Sequence, residues 1–303
     1  MPSAAATIGK PTKIDQPPET PKLHQKPFRL DVDVVQVPVV VVNDANQPVL
    51  NLDRKNFKLF EDDIEQRLDS VVKEDAPISI GLILDFSSSM ADKMGAELEA
   101  VNKFFEYANP KDDYFVVRFS EQPEVVADAT RSIGTIQSQL ASAAPEGFTA
   151  LLDSIYFGVS SLQSAHYKRR ALLIISDGGD NSSRYTLRET KAMLEEADVA
   201  VYAIALSNPY PIFRTLEEKF GQRLLKTVTS ATGGRTILVD NAAQIPKAAA
   251  AISWELRSQY LLEYHSTNRN HDGKRRQVRV DAKSPGGAPL HGYYKREYVV
   301  SGR

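Results

Sequence analysis

Residues 77–90 read PISIGLILDFSSSM, and the nature of that stretch decides the fold. From Pro77 to Leu84 it is apolar apart from one serine and one glycine. A strand with one wet face alternates apolar and polar residues, whereas a continuous run is buried on both faces, as in a parallel sheet. The run stops at Asp85, and Ser87, Ser88 and Ser89 follow at once. Serine and aspartate end strands and cap helices. They are also oxygen ligands, so the flanking sequence has to decide between a capped turn and a site.

Downstream, strands alternate with helical stretches. A helical stripe (Met94, Leu98, Val101, Phe105) is expected over about 92–107, then strands YFVVRF (114–119) and EVVA (124–127). Helices are expected at about 132–143 and 149–162, and then strand ALLIIS (171–176). Helix 185–197, strand VAVYAIAL (199–206), helix 215–230, strand RTILV (235–239) and an alanine-rich helix 243–257 complete the series. This order predicts an α/β fold: a Rossmann-like, doubly wound, mostly parallel sheet with helices on both faces.

The flanks are different. Segment 28–76 contains LDVDVVQVPVVVV, a turn at NDANQ and a short strand NFKLFEDD, with Pro38 pointing to an edge or a bulge. SQYLLEYH, KRRQVRVDA and GYYKREYVV in 258–303 alternate like half-exposed antiparallel strands. Helices run antiparallel to the strands they connect, so the α/β unit begins and ends at the same end of its sheet. Segments 28–76 and 258–303 are therefore expected to pair into one small antiparallel β-sandwich-like domain, with 77–257 inserted between them. Trp254 and Tyr260 are expected to pack the junction.

Composition narrows the function classes. The 303 residues carry a formal net charge of −2, which disfavours nucleic acid as a partner. There is no cysteine, so disulfides, thiolate catalysis and Cys-ligated metals are excluded. No apolar run approaches the ~18 residues of a membrane span. Residues 1–27 hold six prolines and no apolar signal core, and read as a disordered, extended leader. The compartment stays open, with a preference for a secreted, periplasmic or cell-surface setting and room for a signal or anchor ahead of Met1.

Ligands of open α/β sheets bind outside the carboxyl ends of the strands, where strand order reverses. Asp85, Ser87 and Ser89 follow the first central strand, Asp177 in SDGGDN follows ALLIIS, and Thr149 in EGFTALLDS opens the helix between them. Two carboxylates and three hydroxyls without imidazole or thiolate form a hard oxygen set suited to Mg²⁺ or Mn²⁺. Neutral hydroxyls leave such an ion electrophilic toward a carboxylate from outside. The alternative is a set of serine caps and a turn-forming Asp-Gly.

DFSSS, GFTALLD and ISDGGD together resemble the metal-ion-dependent adhesion site of von Willebrand factor A domains, over roughly 77–257. With its flanks, LDRKNFKLFEDDIEQ and RSQYLLEYHSTNRNHDGKRRQVRVDA, the whole chain resembles bacterial, mostly acidobacterial, proteins related to that family. The resemblance assigns Asp85, Ser87, Ser89, Thr149 and Asp177 to a metal site. It implies Mg²⁺, with Mn²⁺ or Ca²⁺ as alternatives, and a protein partner whose Glu or Asp completes the ion's shell. Ser88 stands where the family usually has glycine, and Ser176 where threonine is commoner.

The expected function is non-enzymatic, metal-dependent protein binding or adhesion. Two other readings stay open: a metal-dependent phosphoryl or ester hydrolase, and a structural subunit of a surface assembly with a vestigial site. Against the hydrolase, no phosphate-binding glycine loop or nucleophile elbow is present, and Ser87 stands where an aspartyl nucleophile at Asp85 would need a second acid. His24, His166, His265, His271 and His291 lack metal-ligand spacing. Lys274, Arg275, Arg276 and Arg279, near an expected hairpin turn at 271–273, are read as a solvated face, and Glu61, Asp62 and Asp63 as an acidic turn. Asp153, one helical turn after Thr149, fits either helix-end stabilisation or support of the site.

Overall fold

The computed structural model describes residues 34–207 and 216–300. The leader and His24 lie outside them. The continuous apolar run forms strand β5 (Ser79–Asp85), buried at every position. Its side chains alternate between two cores. Ile80, Leu82 and Leu84 join α1 (Met94–Phe105), α2 (Ile133–Ala141) and α6 (Ile245–Leu256) in one core. Ile83 joins α3 (Leu151–Gln163), α4 (Leu187–Glu196) and α5 (Leu216–Thr232) in the other. Burial on both faces is what makes the run continuous rather than alternating.

The central sheet has six strands in the order β10-β9-β8-β5-β6-β7, with β6 at Asp113–Phe119, β7 at Pro123–Thr130, β8 at Arg170–Ser176, β9 at Ala200–Leu206 and β10 at Thr236–Val239. All neighbours are parallel except β6 and β7. From β5 the chain winds one way through β6 and β7, and from β8 it winds the other way. The order therefore reverses between β5 and β8, whose carboxyl ends are Asp85 and Ser176.

The flanking segments build a second, antiparallel sheet. Its path is β3 (Ile64–Gln66), β2 (Phe57–Glu61), β12 (Arg275–Lys283), β13 (Pro289–Tyr293), β1 (Val34–Val42), β11 (Gln259–His265) and β4 (Leu68–Glu74), with β14 (Glu297–Val299) also on β12. Strands β2 and β11 lie four spacings apart on this path, about 19 Å if the sheet were flat. Yet the Phe57 and Tyr260 rings are 5.3 Å apart. The sheet is rolled around one core to which Val39, Leu59, Leu262 and Val280 contribute.

The two ends of the α/β unit do emerge side by side: the Arg169 guanidinium donates to the carbonyls of both Ala76 and Leu256. Pro38 lies in the half of β1 that pairs only with β11, consistent with an edge-like position.

Several expectations are corrected. Tyr260 packs the core of the rolled sheet, its hydroxyl bonded to Leu52 N–H and Val49 C=O, and does not fill the junction. Polar contacts cross the junction: Arg169 donates to Gln259, and Arg235, paired with buried Glu255, donates to Asn46. GYYKREYVV is two strands, β13 and β14. The turn at 271–273 joins β11 to β12, which do not pair with each other. Arg276 is buried against Glu61 rather than solvated. Asp62 and Asp63 form the expected turn, both at positive φ, while Glu61 is a buried acceptor.

Candidate functional site

Asp85 ends β5 with no exposed surface. Its Oδ1 accepts the Ser87 N–H at 3.0 Å, which curls the loop back over the strand end. Its Oδ2 accepts the Ser176 hydroxyl at 2.5 Å, tying β5 to the neighbouring strand β8. Ser176 Oγ in turn accepts the Gly178 N–H at 2.9 Å. The Ser87 and Ser89 hydroxyls face each other at 3.1 Å. Alternate residues of one tight loop thus present their oxygens together, as the Asp-x-Ser-x-Ser spacing predicts.

The other two loops are laced to this one. Ser88 N–H donates to Gly147 C=O and Glu146 N–H to Phe86 C=O, at 3.2 and 2.8 Å. Thr149, buried at the mouth of α3, accepts on its carbonyl from the N–H groups of Asn181 and Ser182, and donates its own N–H to Asn181 Oδ1 at 2.9 Å. Asp180 Oδ1 accepts the first free N–H groups of α3, from Leu151 and Leu152. Asp153 lies in the first turn of α3, as helix-end stabilisation requires, and it also accepts the N–H groups of Arg184 and Tyr185 and so pins the third loop. Asp177 points Oδ1 at Gly179 N–H, and its Oδ2 lies 3.5 Å from Lys93 Nζ.

Glycine is required where the third loop meets α5. Gly178 has φ +86°, and a Cβ on Gly221 would stand 2.2 Å from the Gly178 carbonyl oxygen. The close approach fixes the residue next to Asp177 against a helix.

Electrostatics follow from burial. Desolvation pushes the Asp85 carboxyl up to about 6, helped by the charge of Asp177 and opposed by the Ser176 and Ser87 hydrogen bonds. Beneath it lies Glu97, which is fully buried on α1 and accepts the Asp85 N–H at 3.0 Å. Burial, and then the charges of Asp85 and Asp177, hold Glu97 well above the usual carboxylate range. Its Oε2 has no hydrogen-bond partner among the described residues. Glu97 and Lys93 were both missed by sequence reasoning. The available signal was Glu97's spacing, three residues after Met94 and four before Val101, which puts an acid on the apolar stripe of its helix.

The donor set fits a hard divalent cation. It comprises two carboxylates and three hydroxyls on three bonded loops at the strand-order reversal. Beside the first loop is a cavity of about 230 Å³, lined by Phe86, Ser120, Ser142 and Glu146 among others. The Phe148 ring, next to Thr149, is 63% exposed. A larger cleft, about 780 Å³, lies at the opposite ends of the strands and contains none of the five site residues.

Residues 80–179 match the sequence model of the von Willebrand factor type A domain. A von Willebrand factor type A protein from Catenulispora acidiphila superposes with TM-score 0.51 at 12% identity, covering 90% of this chain and 74% of that one. A conserved hypothetical protein, BatB, from Bacteroides thetaiotaomicron gives 0.48 at 18% identity, covering 60% of this chain and 100% of that one. The von Willebrand factor domain of the type V pili tip protein Mfa5 from Porphyromonas gingivalis gives 0.46 at 10% identity, over 60% and 95% of the two chains. No curated protein matches the sequence. With the doubly wound sheet, the helices on both faces and the matched residues 80–179 in agreement, the chain carries a von Willebrand factor type A domain.

Proposed function

We propose that this chain is a non-enzymatic, Mg²⁺-dependent protein-binding module that grips a Glu or Asp side chain of its partner. The observation that supports it is the facing pair of Ser87 and Ser89 hydroxyls above a buried Asp85, laced to the loops of Thr149 and Asp177. A bound Mg²⁺ would supply a Lewis-acidic point of attachment for the partner carboxylate. Asp85, Ser87, Ser89, Thr149 and Asp177 would hold it, and the chain's other residues do the positioning. Ser176 orients Asp85, Asn181 fixes Thr149, and Asp180 holds the first turn of α3 that follows it. The exposed Phe148 ring offers apolar contact beside the polar grip, the arrangement expected of an interface anchor. In this reading residues 77–257 form the binding domain, and segments 28–76 and 258–303 form its support. The setting is secreted, periplasmic or at the cell surface.

The test is retention of a library of acidic and isosteric amide peptides on immobilised protein, in Mg²⁺ and in EDTA. The account expects Glu- or Asp-containing peptides to be held in Mg²⁺ alone, and not by Asp85→Ala. Equal retention in EDTA would reject it.

A further inference from the structure

Lys93 stands at the N-cap of α1, four residues after Ser89. Its ammonium donates to the Ser89 carbonyl oxygen at 2.8 Å and lies 3.5 Å from Asp177 Oδ2. One cation thus spans the first and third loops, on the carboxylate oxygen that Gly179 leaves free. The lysine and aspartate side chains are only 25% and 18% exposed, so the pair is not a fully solvated surface contact.

A tethered monovalent cation and a divalent ion want the same oxygen. We infer that Lys93 is a built-in counter-cation: it holds the two loops together when no metal is bound, and it yields Asp177 when a divalent ion arrives. This rests on the metal-dependent reading above and adds a determinant of affinity that the five site residues do not contain. Two consequences have opposite signs. Removing the charge leaves the largely buried Asp177 carboxylate without its counter-cation, so the metal-free protein loses stability. It also removes a like charge beside the incoming ion. Like charges ~4 Å apart repel even in water, and more strongly when one is divalent, so affinity should rise about tenfold or more. A residue that served only to pack the loop would lower stability and affinity together.

The experiment measures unfolding midpoints in EDTA and Mn²⁺ dissociation constants, from the free-ion paramagnetic signal, for wild type, Lys93→Gln, Lys93→Met and Lys93→Arg. Expected are lower EDTA midpoints and about tenfold tighter Mn²⁺ for the two neutral variants, with Lys93→Arg close to wild type in both. Binding by the neutral variants but not by wild type would support the inference more strongly still. Equal or weaker Mn²⁺ binding by the neutral variants overturns it while leaving the metal site standing. Binding by none of the four proteins refutes the metal-dependent reading, and the competition with it.

Discussion

The Ser176 hydroxyl donates to Asp85 Oδ2 at 2.5 Å, across the one place in the central sheet where strand order reverses. Both residues are fully buried, so neither has water to fall back on. Hydrogen bonds to a charged group are worth roughly 1.5–3 kcal/mol. Ser176→Ala is expected to cost about that much stability at neutral pH and to weaken metal binding, while Ser176→Thr, which keeps the hydroxyl, retains both. Chemical denaturation with and without Mg²⁺ measures each effect.

A second prediction concerns the contact behind Asp177. A Cβ on Gly221 would meet the Gly178 carbonyl at 2.2 Å, and backbone cannot rotate away as a side chain would. Overpacking of this kind costs roughly 1–3 kcal/mol. Gly221→Ala should therefore destabilise the fold and shift the third loop, seen as a loss of metal affinity larger than the same stability loss produces when placed in the rolled sheet. Unchanged stability and metal affinity in Gly221→Ala would contradict the assigned contact.

The junction between the sheets yields a third. The Arg235 guanidinium pairs with buried Glu255 on α6, donates to Asn46 Oδ1 at 3.1 Å and lies over the Tyr293 ring at 5.1 Å. Burial raises the Glu255 carboxyl and the arginine opposes that rise. Breaking one side of such a pair costs roughly 3–5 kcal/mol. Arg235→Met is expected to lose about that much in urea unfolding, and Arg235→Met with Glu255→Met to recover much of it. A double variant as unstable as the single one would show that packing, and not the stranded charge, is responsible.

Acid sensitivity should be localised in the rolled sheet. Glu61 accepts from Ser266, Tyr298, Tyr264 and Arg276. Burial works to raise its pKa, but these hydrogen bonds outweigh it and hold the carboxyl below the ordinary 4.5. A depressed carboxyl stabilises the fold above its unfolded pKa and loses that contribution as pH falls through its folded value. The stability difference between wild type and Glu61→Gln should then be largest near neutrality and shrink below about pH 4.5. A difference independent of pH would rule this out.

Much of this molecule was legible before its structure. β5 announced a doubly buried strand because both of its faces do the same job, and the strand–helix order then set the winding. That Asp85, Ser87, Ser89 and Asp177 follow the two strand ends at the reversal point, with Thr149 just before α3, was legible because strand ends are local events and the reversal point is a consequence of winding. What resisted reading was decided by tertiary contact. Arg276 looks like its neighbours in KRRQVRVDA, and only the roll of the sheet places Glu61 against it. Tyr260 follows a helix end, but its partner Phe57 lies some two hundred residues earlier in the chain. Lys93 and Glu97 read as ordinary helix charges, and only the loop folding back over α1 gives them Asp177 and Asp85 as neighbours.

Thermal unfolding of wild type and Asp85→Ala, each in Mg²⁺ and in EDTA, tests the central claim most directly. An ion bound only by the folded state stabilises it by about 2.7 kcal/mol at a hundred times its Kd. The account predicts a rise in the wild-type midpoint with Mg²⁺ that grows with concentration and is absent from Asp85→Ala. Identical midpoints in millimolar Mg²⁺ and in EDTA for wild type would contradict it, and would reduce the serines after Asp85 to loop chemistry.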